Sequence, residues 1–198
     1  MASSSKNGSI RIIGGDWRGR RLPVAVVPGL RPTGDRVRET LFNWLQGDIH
    51  GMRVLDLFAG TGALGFEALS RGAKHAVLVE NNRAAATILS ENIAKLNAQA
   101  EVVCTDSRRL IAKPPAGEPF DLLLVDPPFS DRDAADMIES ATKSGWLTAG
   151  GLVYWEQPAA GKKFDAPTLS DRFERVREKS TGRVQFGLYR FSATEGDA

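Results

Sequence analysis

The chain has 198 residues, 42% of them hydrophobic and 25% charged, enough for one full core and typical of a soluble globular protein. No apolar run approaches the length of a membrane span, and residues 1–9 are polar, so the reading is a cytoplasmic protein with no signal peptide. One cysteine and two histidines offer neither a disulfide nor a metal-ligand spacing, which leaves Cys104 as a small buried residue at a strand end and predicts no metal.

The net charge of +2 conceals an asymmetry. Residues 1–40 hold eight bases against three acids, and the remainder is slightly acidic. After a disordered tail over residues 1–9, Ile10–Ile13 and Arg20–Val24 read as a hairpin standing apart from the main sheet, giving a basic arm over 10–30. Arg11, Arg18, Arg20, Arg21, Arg31, Arg36 and Arg38, with Trp17 among them, suit phosphate oxygens and base stacking; the alternative is a solvated charged surface. Arg36–Gln46 reads as a helix with Val37, Leu41, Trp44 and Leu45 on one face, Asp35 or Thr33 as its N-cap, and Arg36 and Arg38 flanking the apolar face.

Strands near 52–57, 75–80, 101–105, 120–125 and 151–156 then alternate with helices near 62–71, 82–96, 107–112 and 132–143. Such alternation predicts an α/β domain over 31–191, a mostly parallel sheet with helices on both faces. Two closing runs, Phe173–Lys179 and Arg183–Phe191, form a hairpin and require one antiparallel strand; residues 192–198 read as a second tail.

The first of these strands leads into Phe58-Ala59-Gly60-Thr61-Gly62-Ala63-Leu64-Gly65, a glycine-rich turn that opens a helix, and Glu80 with Asn81 follows the next strand. Glycines 60, 62 and 65 spell a dinucleotide fingerprint, with Glu80 at the distance of a ribose-binding acid. Asp56 argues against a pyrophosphate, because a carboxylate there would repel it. S-adenosyl-L-methionine carries no phosphate, and its ammonium and sulfonium charges favour an aspartate at that place. Asp106, with Ser107 beside it, can accept from an adenine amino group. Both acids have plainer alternatives: Asp106 as a helix N-cap and Asp56 as an acceptor for loop amides.

Asp126-Pro127-Pro128-Phe129 ends the apolar run Phe120–Val125. Asp126 and the Pro127 carbonyl can accept the two hydrogens of a planar exocyclic amine, with Phe129 stacking on the ring that carries it. The alternative is a strand end and a Pro-Pro turn with Asp126 capping the next helix. Acids or glycine turns at four successive strand ends lie where an open α/β sheet binds its ligand.

Beyond these shared motifs, Arg11–Pro23, Gly29–Leu45, Ala68–Arg71, Gly145–Leu147 and the stretch from Gly182 to Tyr189 resemble the bacterial 16S rRNA (guanine(966)-N(2))-methyltransferase family, small-subunit ribosomal RNA methyltransferase D. Gly34 departs from the Thr or Ser of that pattern, and neither the loop around Pro114–Pro119 nor Gln157–Asp171 carries a recognisable pattern. The resemblance implies a Rossmann-like class I methyltransferase with a seven-stranded sheet, acting on N2 of one guanine within the 30S ribosomal subunit; a monomer is expected, although the residues themselves do not give the oligomeric state. Two rivals are a DNA adenine-N6 methyltransferase, for whose recognition region this chain has no room, and a non-catalytic ribosome assembly factor, which would not need intact Asp56, Gly60, Gly62, Glu80 and Asp126.

Overall fold

The computed structural model describes residues 8–30, 32–128, 133–159, 169–182 and 184–193. Arg31, Phe129 and the outer parts of both expected tails lie outside them. The inner ends of those tails are ordered: Ser9 already belongs to a strand, and the Ser192 amide donates to the Arg172 carbonyl over 2.8 Å.

Strands β1 (Ser9–Arg11) and β2 (Arg21–Pro23) pair antiparallel as a separate two-stranded sheet. Their apolar side chains are not an appendage. Ile10, Ile12 and Leu22 are buried in the same cluster as Val37, Leu41 and Phe42 of helix α1 (Asp35–Trp44) and Leu45 at its C-cap. The expected hairpin therefore exists, but it is docked onto the body and shares its core.

From there the chain runs β3 (Arg53–Asp56), α2 (Ala63–Ser70), β4 (His75–Val79), α3 (Arg83–Leu96), β5 (Ala100–Val103), α4 (Ser107–Ile111), β6 (Phe120–Val125), α5 (Ala134–Lys143), β7 (Leu147–Pro158), β8 (Phe173–Thr181) and β9 (Val184–Phe191). The main sheet has the order β5-β4-β3-β6-β7-β9-β8. The pairs from β5 to β7 are parallel, and β9 runs antiparallel to both of its neighbours. Central strands are apolar on both sides because helices cover both faces. Along β6, Leu122 and Leu124 pack towards α1, α2 and α3, while Leu123 and Val125 pack towards α4 and α5. Strand order reverses between β3 and β6, which opens a crevice at their carboxyl ends.

Cys104 is exposed, contrary to its reading as a buried residue. Strand β5 stops at Val103 and lies at the sheet edge, so nothing covers the next residue.

A second correction concerns Arg38. It is 1% exposed and forms ion pairs with Glu67 and Asp35, while Nη2 also donates to the Arg11 carbonyl over 3.0 Å. A guanidinium so enclosed cannot reach a phosphate, so Arg38 leaves the nucleic-acid set. Glu67, also fully buried, accepts from the amides of Ile13 and Gly14 at 2.9 and 2.8 Å and from Arg71 at 2.8 Å. Arg38→Ala is expected to lower unfolding free energy by about 3–5 kcal/mol, because it leaves part of a buried ion pair uncompensated. Exposed Arg36→Ala should change it by less than about 0.5 kcal/mol. Urea unfolding reports both; equally small effects would show that the Arg38 pair carries no structural weight.

Candidate active site

Side chains alternate across a strand, so residues two apart share a face. Asp56 shares the α1 side of the sheet with Val54, Glu80 with Ala76 and Leu78, Asp126 with Leu122 and Leu124, and Glu156 with Leu152 and Tyr154. Four carboxylates thus line the carboxyl ends of the adjacent strands β4, β3, β6 and β7. Among the described residues, no group of three or more His, Cys, Asp or Glu side chains is arranged to hold a metal ion.

The glycine turn is fixed from below by Glu80. Its Oε2 accepts from the Gly60 amide over 2.9 Å and its Oε1 from the Asn82 amide over 2.7 Å. Gly60 and Gly62 take φ of 52° and 78°, which a side chain would strain. Gly65 is needed for another reason: a Cβ there would lie 2.2 Å from Leu78 Cδ2, so the helix could not approach β4. Ala59 and Thr61 are buried, Phe58 is half-buried against the α4 side of the core, and Asn81 is exposed.

Asp56 is 1% exposed, and its Oδ2 accepts from the Gly65 amide over 3.2 Å. Its Oδ1 is buried and makes no well-formed hydrogen bond, and the backbone of Phe58 and Gly65 only partly offsets the cost. Burial, then the negative field of Asp126, pushes this carboxyl up to about 7. An ammonium group in the crevice would supply the missing donor and restore the ionised form, whereas a phosphate would worsen the repulsion. The donor set therefore fits a positively charged amino-acid ligand beside an open glycine turn.

Asp106 N-caps α4, accepting from the Arg109 amide over 3.2 Å, and the Ser107 hydroxyl donates to the Leu57 carbonyl. Asp106 closes the first turn of α4, and Ser107 holds that turn against the end of β3. That is the plainer alternative for Asp106, and it leaves only its second oxygen for a ligand.

Asp126 stands at the end of β6 with its Oδ2 accepting from the Thr33 hydroxyl over 2.7 Å. Burial pushes its carboxyl up, and the Thr33 hydrogen bond opposes that. Pro127 is buried and Pro128 exposed. The expected capping role of Thr33 is replaced by this contact, since the α1 N-cap is Gly34 with no side-chain hydrogen bond.

Glu156 escaped the sequence reading. It is 5% exposed, takes the Tyr154 hydroxyl on Oε2 over 2.7 Å, and is pushed up to about 8 by burial and then by Asp126. The signal was present: like Asp56 and Asp126, it is a carboxylate that follows an apolar run, here Leu152–Trp155.

Of the expected nucleic-acid residues, Arg11, Arg18, Arg20, Arg21 and Arg36 are exposed and Trp17 is half-buried. Arg11 and Arg21 meet Pro32 and Asp35 around a groove of about 300 Å³, one residue from Thr33 and hence close to Asp126. Arg18, Arg20 and Arg36 do not line it.

The family model described as "Conserved hypothetical protein 95" matches residues 10–190. "Ribosomal RNA small subunit methyltransferase D" of Escherichia coli strain K12 is 45% identical over 98% of this chain and 96% of its own length. The protein of the same name from Haemophilus influenzae is 42% identical over 96% and 97%. A solved structure described as a putative methyltransferase from Escherichia coli superposes with a TM-score of 0.85 at 45% identity, covering 94% of this chain and all of that one. The sheet order and these likenesses together make the fold the Rossmann-like class I methyltransferase fold.

In the folded protein Asp56 and Glu156 keep protons that the unfolded chain has released, so the native state binds more protons and stability falls as pH rises. The window runs from the ordinary carboxylate range up to about 7 for Asp56 and about 8 for Glu156. His75, lowered by burial and then by Arg53, gives an opposite trend on the acid side. Melting temperatures across pH for wild type, Asp56→Asn and Glu156→Gln remove it by difference. Each variant should gain stability over wild type as pH rises; a difference independent of pH would mean neither acid is perturbed.

Proposed function

The chain belongs to the family of the ribosomal RNA small subunit methyltransferases D, and on that premise we propose that it methylates the exocyclic N2 of one guanine, guanine 966 of 16S rRNA, from S-adenosyl-L-methionine. The observation that carries the reading is the crevice itself, where a glycine turn pinned by Glu80 lies one strand away from Asp126 and its two prolines.

When bound, S-adenosyl-L-methionine supplies an electrophilic methyl group on a sulfonium. Asp56 and the turn 58–62 would hold the charged amino-acid end, Glu80 the ribose hydroxyls, and Asp106 with Ser107 the adenine side. Both Glu80 oxygens already accept one amide each, which orients the carboxylate and leaves further lone pairs for hydroxyls. Asp126 accepts one hydrogen of the target amine and the Pro127 carbonyl the other. Together they hold the nitrogen pyramidal and stabilise the positive charge that develops on it. Pro127 contributes no competing N–H. Phe129 is assigned to stacking on the base.

A guanine in folded RNA must be splayed out of its stack, at a cost of a few kcal/mol that phosphate contacts offset. Arg11, Arg18, Arg20, Arg21, Arg31 and Arg36, with Trp17, are assigned to those contacts; of these Arg11 and Arg21 line the groove beside Pro32, whose neighbour Thr33 donates to Asp126. The proposed setting is the cytoplasm, with the protein a monomer on the 30S particle.

Tritium transfer from labelled cofactor to 30S particles, free rRNA and duplex DNA, followed by nucleoside analysis, tests the whole reading. Label on N2-methylguanine from particles is expected. Label on N6-methyladenine from DNA would favour the adenine rival, and no transfer at all the assembly factor.

Asp126→Ala should lower kcat/KM by about 100-fold or more while calorimetric affinity for the cofactor stays near wild type. Equal loss in both measurements would make Asp126 a cofactor residue.

Replacing Arg18, Arg20 and Arg21 together by Ala should leave folding intact, since all three are exposed. The log-log salt slope of particle binding should fall by about 0.7 for each single-strand phosphate that the variant no longer neutralises. An unchanged slope and affinity would reduce these arginines to a solvated surface.

A further inference from the structure

Asp126 and Glu156 form a pair that the amine-binding role of Asp126 does not account for. Val125 is in register with Trp155, so the next residues sit side by side, Asp126 just past the end of β6 and Glu156 two residues before the end of β7. Adjacent strands lie about 4.8 Å apart. Each carboxylate is held through one oxygen by a neutral hydroxyl: Thr33 on Asp126 Oδ2 and Tyr154 on Glu156 Oε2. Among the described residues, the second oxygen of each accepts no hydrogen bond, and no ion pair reaches either acid. The pair is two acceptors waiting for two donors.

The Watson–Crick edges of the four bases differ in what lies beside the amine. Guanine puts a ring N1–H next to its 2-amino group, giving two adjacent donors. Adenine and cytosine put a ring nitrogen lone pair beside theirs, and uracil has no amine. We propose that Glu156 accepts the N1–H of the target guanine while Asp126 holds its 2-amino group, so that the carboxylate pair selects guanine. This rests on the guanine-N2 reading above. Adenine in the same pose would set its N1 lone pair against the Glu156 carboxylate, and a site built to take a hydrogen bond rejects an analogue that lacks the donor.

The surroundings of Glu156 are Asp126 on β6, Tyr154 on its own strand and the uncharged Phe186 opposite it on β9; Asp56 lies one strand beyond Asp126. Among the described residues no cation is ion-paired with either acid; Lys179 stands in the same row, beyond Phe186 on β8, with its Nζ donating to Thr40 Oγ1 of α1 over 3.3 Å. Glu156 must be ionised to accept N1–H, so affinity for guanosine should rise as pH rises towards and through about 8.

The test titrates the cofactor-free full chain with guanosine, 1-methylguanosine, 2-aminopurine riboside and adenosine, following protein NMR shifts. Both modified nucleosides keep the 2-amino group and lack N1–H, and 2-aminopurine does so without added bulk. Wild type should bind guanosine about tenfold more tightly than either, as loss of one charge-assisted hydrogen bond implies. Glu156→Met, which keeps the volume and removes the acceptor, should erase the preference. Equal wild-type affinities for guanosine and 2-aminopurine riboside, or a Glu156→Met protein that keeps the preference, overturns the assignment. The wild-type series stands even if the variant fails to fold. Nucleoside analysis of methylated particles separates the two levels. Label on guanine N2 without a guanosine preference sinks only the role of Glu156, whereas label on another base sinks the guanine reading on which it rests.

Discussion

Glu67 has no exposure to solvent, yet it gathers hydrogen bonds from three separate parts of the chain: the amides of Ile13 and Gly14, the guanidinium of Arg38 on α1, and Arg71 at the end of its own helix. A buried carboxylate is tolerable only when its lone pairs are filled in this way. The bonds have a geometric result. They fix the hairpin and α1 on α2, and α2 is the helix that the glycine turn opens. Ser70 extends the clamp, accepting from the Trp17 amide over 2.9 Å and donating to the Gly14 carbonyl over 2.6 Å. Basic arm, Thr33 and glycine turn are thereby set in one frame around Asp126.

The crevice is built on the opposite principle. Where Glu67 has two arginines, the acids across the sheet end have neutral hydroxyls and backbone amides. Asp126 consequently raises the proton affinity of both Asp56 and Glu156 in addition to the effect of burial, and burial raises that of Asp126 itself. Concentrated like charge costs stability and is kept where ligands supply the missing donors. One molecule thus treats buried carboxylates in two ways, saturated at the structural joint and left wanting at the site.

Much of this was legible in the residues. The apolar runs ending in Asp56, Val79 and Val125 fixed the parallel strands, and the acids beyond them marked the crevice, because a strand covered on both faces has one readable pattern and one place for polar groups. The docking of the hairpin was not legible, since strands of three residues are too short to show alternation. Arg38 was misread by residue type. Leu41 and Phe42 stand three and four residues beyond it on the buried face, so helical spacing pointed inward while charge suggested solvent. Glu156 was overlooked because its strand lacks the prolines that set Asp126 apart. Thr33 reads as a helix cap locally, and only the tertiary fold carries its hydroxyl to a residue 93 positions away.

The place of β9 has a consequence for biosynthesis. Among the described residues it is the last strand, and it inserts between β7 and β8, pairing antiparallel with both. Until residues 184–191 have left the ribosome, β7 presents a bare edge and Glu156 lacks the neighbouring strand that encloses it. Domains otherwise fold from the amino end as they emerge. Here the glycine turn and the β3–β6 crevice can form early, while the wall beside Glu156 waits for a strand made after all of its neighbours, so the two halves of the crevice are completed at different times.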